Sequence, residues 1–576
     1  MFKRILMASA ALLAAAPASA DFFPTVAGGD EPVEADLILM NGEVLTPTGW
    51  VEAVAVDEGA IIAIGTFAHL TTLRGQATQV VDLGGAAVLP GLHDLHVHAI
   101  GGGLEQASCT FRSGALPEEI RKAIAGCVAK AEPGEWIRGG NWIAAVFAPG
   151  QQTREFLDEV APNNPVLLTD ESHHSAWANS AAIDAAGITA DTPNPESGII
   201  DRDASGRPTG VFREQATGLV SAAMPPIGEE QLREGLQYAA DLMASYGVTS
   251  FTDAGLDGSG LKVMSELSAE GLMKQRVRGC IRWAGAPAEA RAEAEGLIHS
   301  RQYFRTERFR PDCVKVVLDG VPTESHTAAM LDHYVSTNET GMSIIPADIL
   351  FPAVTEMDRQ GLHVKFHAAG DGAVRQAIDA VEAARKANGF GGPAHDVGHN
   401  SFVDPADLAR VPQLAMSWEF SPYIWYPSPI TRDIIAAVGP ERMERWIPIA
   451  DAVKAGGLVG AGSDWSVVPS INPWLAIETM VTRQEPGGST ETLGLGQKVS
   501  LAEAVTIFTS NAAQIMEHRN LVGSLEPGML ADMVVVERNP FQIPETEIHD
   551  TKVLMTFING EKVYDAASPP ASLSQR

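Results

Sequence analysis

Four cysteines in 576 residues are few, and none stands at Cys-x-x-Cys spacing, so a zinc knuckle or a dithiol redox pair is excluded. Cys109 and Cys127 fit either a bridge formed in an oxidising compartment or two buried thiols. Beyond the N-terminus no run of about 18 uncharged apolar residues occurs, and so no membrane-spanning helix is expected. Basic residues are also scarce. Lys and Arg total 41 against 72 Asp and Glu, and the net charge of -31 argues against a nucleic-acid partner or an anionic membrane surface. No short-period repeat or low-complexity tract breaks the chain.

What is present begins with a leader-like segment. Lys3 and Arg4 precede an apolar run from Ile5 to Pro17, and Ala18-Ser19-Ala20 fits a cleavage site, so residues 1–20 read as a signal peptide cut after Ala20. Asp21 rather than cysteine follows the cut, so no lipid anchor is indicated. The mature protein is expected to be exported, to a periplasm.

After a loose linker (21–34), short strand-like runs begin. Residues 37–40, Asn41-Gly42 and 43–46 read as a hairpin, as do 553–558, Asn559-Gly560 and 561–564. Both β-rich ends are expected to form one small sandwich (35–88 plus 520–565), leaving a tail at 566–576. The middle, 89–519, alternates strands with helical stretches in the manner of a (β/α)8 TIM-like barrel. Candidate strands fall at 86–98, 166–170, 248–253, 277–283, 314–319, 363–367, 396–399, 414–418 and 457–462. That is one more than a closed barrel needs. The 166–170 segment is the extra one, inside an insertion of about 101–226 that follows the first barrel strand. Ser500-x-x-Glu503 is a capping box that opens the last barrel helix, which runs to about Met516.

Active sites in such barrels lie at the C-terminal ends of the strands, and potential metal ligands gather there. Asp94-Leu95-His96-Val97-His98 puts two imidazoles on one face of a strand, with Leu95 and Val97 facing packing. His367 and His399 end later strands, Asp464 follows another, and Lys315 lies within its own, between Val314 and Val316 facing the helices. Singly, each has an ordinary structural role: a hydrogen-bonded histidine, a helix cap, a snorkelling lysine. Together they point to one metal centre. The aromatic stretch 416–426, with Trp142 and Trp465, reads either as an apolar or aromatic substrate pocket or as core packing.

The chain resembles the amidohydrolase superfamily, in the branch that includes N-substituted formamide deformylase. The resemblance rests on Leu89-Pro90-Gly91 before the His-x-His pair, on 134–139 and 174–180, on Lys315 to Gly320, His367 to Asp371 and Gly462 to Trp465, and on the closing stretch 523–532. It implies one or two divalent ions, usually zinc, with His96 and His98 on one and His367 and His399 on a second. It places Lys315 where many members carry an N-carboxylated lysine between two metals, since a carbamate can ligate a cation and an ammonium cannot. Asp464 would be both ligand and the base that takes a proton from attacking water, returning it to the leaving nitrogen. His174 would face the barrel mouth as a carbonyl-polarising or pocket-closing residue, or else only order the turn at 177–179, and the neighbouring His173 could serve in its place. His326, Trp465 and Trp142 are candidate substrate contacts. The family commonly has a basic residue where Asp396 stands and an acidic one where Gly398 stands, a departure that bears on how His399 is oriented.

The function implied is hydrolysis of a C–N bond (amide, N-formyl or N-acyl) in a small molecule. Hydrolysis of a cyclic amide, imine or ester at the same site is the alternative. A non-catalytic exported binding protein of the same fold is the alternative from another class.

Overall fold

The computed structural model describes residues 34–574 apart from 107, 113, 149, 171–174, 196–197, 324–325, 336 and 469. The expected leader, and the expected linker up to residue 33, lie outside the described residues.

Eight parallel strands make the barrel: β1 (Leu92–Val97), β2 (Val248–Leu256), β3 (Arg276–Trp283), β4 (Phe309–Val317), β5 (His363–Ala368), β6 (Asp396–His399), β7 (Ser417–Phe420) and β8 (Leu458–Ala461). Their continuous apolar character follows from burial on both faces. Val314 and Val316 pack outward into the main core, while Lys315 between them points inward. β8 and β1 are joined past their ends rather than by a regular ladder. Asp464 N donates to His96 O at 2.7 Å and His98 N donates to Trp465 O at 2.7 Å.

The expected strand 86–98 is two strands. Ala87–Pro90 pairs with Met533–Val536 and Glu43–Thr46 in a six-stranded sheet, and only from Leu92 does the chain enter the barrel. Gly91 is the switch, because a Cβ there would lie 2.3 Å from Thr249 Oγ1. A four-stranded sheet (Ala60–Gly65, Ala53–Asp57, Ala35–Met40, Arg74–Asp82) packs against the six-stranded one through Leu37, Leu39, Val54, Val88, Met533 and Phe557. This is the sandwich built from both chain ends.

Asn-Gly has two outcomes here. At 559–560 it turns the hairpin between Val553–Ile558 and Glu561–Asp565, with φ of 51° and 71°. At 41–42 the expected hairpin does not form. Ala35–Met40 and Glu43–Thr46 belong to opposite sheets, and the dipeptide carries the chain across the sandwich. Asn41 takes the left-handed conformation at φ 56° but Gly42 does not, so no type I′ turn forms, and Ala35–Met40 lies between Ala53–Asp57 and Arg74–Asp82.

Between β1 and β2 the chain inserts a six-stranded sheet that includes Val166–Asp170, Ile137–Trp142 and Cys109–Thr110. The last barrel helix starts at the Ser500–Glu503 box but breaks at Thr509 into Leu501–Phe508 and Ser510–Ile515.

Candidate metal centre at the barrel mouth

β1 delivers His96, fully buried, with Nε2 turned to the barrel axis. That nitrogen is 2.9 Å from Lys315 Nζ on β4 and 3.4 Å from Asp464 Oδ1 after β8. His98 Nε2 lies 3.3 Å from the same Asp464 oxygen. His96, His98 and Asp464 bring one donor atom each within 4.8 Å of one another. The His399 ring sits 4.7 Å from that of His96 and 4.2 Å from that of His367, so both stand beside that group, with His367 Nε2 3.2 Å from Gly320 O.

Burial strips these groups of charge where charge is unsupported. It pushes His367 down to about 4, helped by Lys315, and drives His96 and His399 well below the usual histidine range. Lys315 is pushed down to about 8 by burial and by the Lys365 ammonium. Burial would raise Asp464, but His399, His98 and Lys315 around it hold it well below the carboxylate range. Neutral His96, His367 and His399 beside an ionised Asp464 are the protonation states a divalent cation requires.

The residues fit such an ion on a further observation. His399 Nε2 is buried without a hydrogen-bond partner among the described residues. Leaving a buried acceptor unmet costs about 1–3 kcal/mol, which a cation ligated there would remove. His399 also holds a left-handed backbone at φ 71°, as does Asp464 at φ 60°, so both loops are bent to aim these side chains.

Beneath the centre lies a group of buried charges. His96 Nδ1 is 2.7 Å from Glu419 Oε2 on β7, and Lys365 Nζ on β5 reaches that oxygen at 3.3 Å and both Asp396 oxygens at 3.0 and 3.1 Å. All of these side chains are buried. Burial raises Glu419 while the Lys365 ammonium draws it down. A carboxylate on Nδ1 holds that nitrogen's proton and leaves the Nε2 lone pair facing the centre. Here the departure from the family pattern has a physical answer. A Cβ at Gly398 would lie 2.7 Å from Glu419 Oε2, so the glycine makes room for a carboxylate arriving from the next strand. Lys365, in register with Asp396, supplies the base. Asp396 therefore contacts Lys365 and His363 (3.0 Å), while His399 Nδ1 instead meets Ser421 Oγ at 3.3 Å. Period-two parity carried the signal: 363, 365 and 367 share the inner face of β5, as 417 and 419 share that of β7.

Asp94 and Asp319 act as braces. Asp94 Oδ1 accepts from His96 N and Ser463 N, each at 3.0 Å, tying β1 to the Asp464 loop. Asp319 accepts from Ala329, Ala369 and Gly370 N–H groups at 2.9–3.0 Å, and burial raises it to about 7.

Above the centre a cavity of about 1200 Å³ opens between the barrel mouth and the inserted sheet. Trp465 lines it, with Tyr423 and Tyr426. Trp142 does not. It is 3% exposed in the core of the insertion, its indole N–H given to Leu168 O at 3.0 Å and its ring against Trp177. Trp418, Phe420 and Trp425 are likewise core. His326 stacks on Tyr334 with ring centroids 4.4 Å apart and is not part of the cavity wall. His173 and His174 lie outside the described residues.

Cys109 and Cys127 form a disulfide, as do Cys280 and Cys313. The second was not foreseen, because 33 residues separate the pair in sequence and only the β3–β4 register brings them face to face.

The sequence profile of the amidohydrolase family matches residues 79–564. This chain belongs to that family. Among curated relatives, LONG AFTER FAR-RED 3 of Arabidopsis thaliana is 29% identical, the match covering 92% of each chain. N-substituted formamide deformylase of Arthrobacter pascens is 26% identical over 92% of this chain and 98% of its own. An uncharacterized metal-dependent hydrolase from Pyrococcus horikoshii has the same fold, with a TM-score of 0.72 at 23% identity over 88% of this chain and 99% of that one. This amidohydrolase is thus a hydrolase, and His96, His98 and Asp464 form a candidate metal site.

Proposed function

We propose that this amidohydrolase is an exported enzyme that hydrolyses a C–N bond (amide, N-formyl or N-acyl) in a small molecule. The observation that carries the reading is the convergence of His96, His98, His367, His399, Lys315 and Asp464 on the floor of the cavity. The four histidines and Lys315 would hold one or two divalent ions, zinc by preference, with Lys315 as a carbamate where two are bound. Such an ion polarises a carbonyl oxygen and acidifies water. Asp464, kept ionised by its neighbours, accepts the proton as water attacks the carbonyl carbon and passes it to the departing nitrogen. Trp465 forms part of the wall against which the substrate body rests. The same arrangement supports attack on a cyclic amide, imine or ester, and the substrate panel separates these. Export is supported by the two disulfides, which persist in oxidising compartments, and by the leader-like first twenty residues.

The test is purified enzyme stripped with a chelator, reloaded with zinc, and assayed on formamides, N-acyl amides, lactams and esters. Loss on stripping and recovery on reloading, with C–N substrates turned over best, is expected. Turnover indifferent to chelation, or a zinc-loaded protein inert toward the whole panel, overturns the reading.

A further inference from the structure

The chain is strongly acidic, yet its cavity is not. Three arginines line it (Arg112, Arg138 and Arg282) against two carboxylates, Glu105 and Asp464. A low-dielectric cleft lined by one sign of charge concentrates ligands of the other sign.

Two of the three arginines are engaged. Arg112 pairs with Glu119 at 2.6 Å, and Arg138 donates to Pro225 O. Arg282 differs. Among the described residues its guanidinium makes no hydrogen bond or ion pair, and its side chain is exposed to the cavity. Asp253 and Asp257 feel its charge at longer range without pairing with it. Asp253 accepts from Ala99 N at 3.1 Å and Gly255 N at 3.3 Å, and Asp257 accepts from Gly260 N at 2.8 Å.

The position of Arg282 is specific. It is the β3 residue in register with Lys315 on β4. Gly255, at the end of β2, leaves a gap between it and the metal ligands. A Cβ built at Gly255 would lie 3.3 Å from the Arg282 guanidinium and 3.6 Å from the His98 ring. An open five-donor fork therefore stands beside the reaction centre, in the cavity a substrate must enter.

Resting on the C–N hydrolase reading, we infer that the substrate is an anion: an amide with a carboxylate a short span from the scissile bond, which Arg282 grips. A planar guanidinium matches a carboxylate with two parallel hydrogen bonds, a geometry a lysine cannot reproduce. The apolar lining from Phe111, Met224, Ile227 and Ile430 then receives the rest of the molecule.

The experiment pairs each acid with its neutral twin, N-acetylphenylalanine with N-acetylphenylalaninamide and 4-acetamidobenzoate with 4-acetamidobenzamide, on zinc-loaded enzyme. The expected result is a preference for the acid of at least tenfold in kcat/KM. In Arg282→Gln that preference collapses through KM with kcat held, because the grip is the same in ground and transition states. Arg282→Lys should keep part of it, and the neutral twins should lose far less than the acids in either variant. Calorimetric binding of the same four compounds to wild type and Arg282→Gln reads the inference even where none is turned over. Inertness toward all amides defeats the C–N hydrolase reading, whereas equal binding of acid and twin defeats this one. An acid preference that survives Arg282→Gln also overturns it, by placing the anion on Arg112, Arg138 or the metal.

Discussion

Glu419→Gln tests how the proposed metal centre is oriented. The wild-type carboxylate is 2.7 Å from His96 Nδ1 and 3.3 Å from Lys365 Nζ, both fully buried, and the amide keeps the volume while losing the charge. Lys365 retains both oxygens of Asp396, so it is not left unpaired and the fold should survive. His96 is less well served, because a neutral amide oxygen holds its Nδ1 proton more weakly and the amide can also rotate to present N–H. Loss of such an outer partner typically costs about 10–100-fold in metal affinity. That corresponds to about 1.4–2.8 kcal/mol. Gly398→Ala should give the same phenotype without removing a charge, since its Cβ would intrude to 2.7 Å from Glu419 Oε2 and 2.8 Å from Phe366 O. The assay is competition for zinc against a chromophoric chelator, with circular dichroism melts of the metal-free proteins as the folding control. A folded Glu419→Gln protein with zinc affinity within twofold of wild type would refute the assignment of Glu419 as the group that orients His96.

Asp464→Asn should cut kcat by about 10²-fold or more, the usual worth of a general acid–base group, and an assay showing near-normal turnover would remove it from the chemistry. Alkylation of unfolded, unreduced protein should label none of the four cysteines by mass spectrometry; labelling of Cys280 or Cys313 contradicts the bridge between β3 and β4. Stability should fall in mild acid. Burial holds His93 and His395 near 4, whereas unfolded histidine titrates near 6.5. The unfolded chain therefore takes up protons first. Stability present above pH 6.5 is lost toward pH 4, on the order of 3 kcal/mol for each group. Urea midpoints at pH 7, 6, 5 and 4.5 check this, and a flat profile contradicts it.

The sequence alone carried most of the donor set, because strand parity is local: His96 and His98 share a face whatever surrounds them, and Lys315 faces inward because Val314 and Val316 must not. The alternation of strands and helices likewise identified the barrel, and the surplus strand located the insertion. Misreadings arose where pairing is non-local. Asn41-Gly42 has hairpin chemistry but joins two sheets. Trp142 has the chemistry of a pocket wall but fills the core of the insertion.

What only the tertiary structure decided is which residues from distant strands share a point in space. Glu419 meets His96 across 323 positions of chain, and Cys280 meets Cys313 through strand register. Arg282 faces His98 across the gap left by Gly255. Side-chain type and parity are properties of a few neighbouring residues and can be read in order. The closure of eight strands into a ring is a property of the whole chain, and it sets both the orientation of the candidate metal ligands and the charge of the cavity above them.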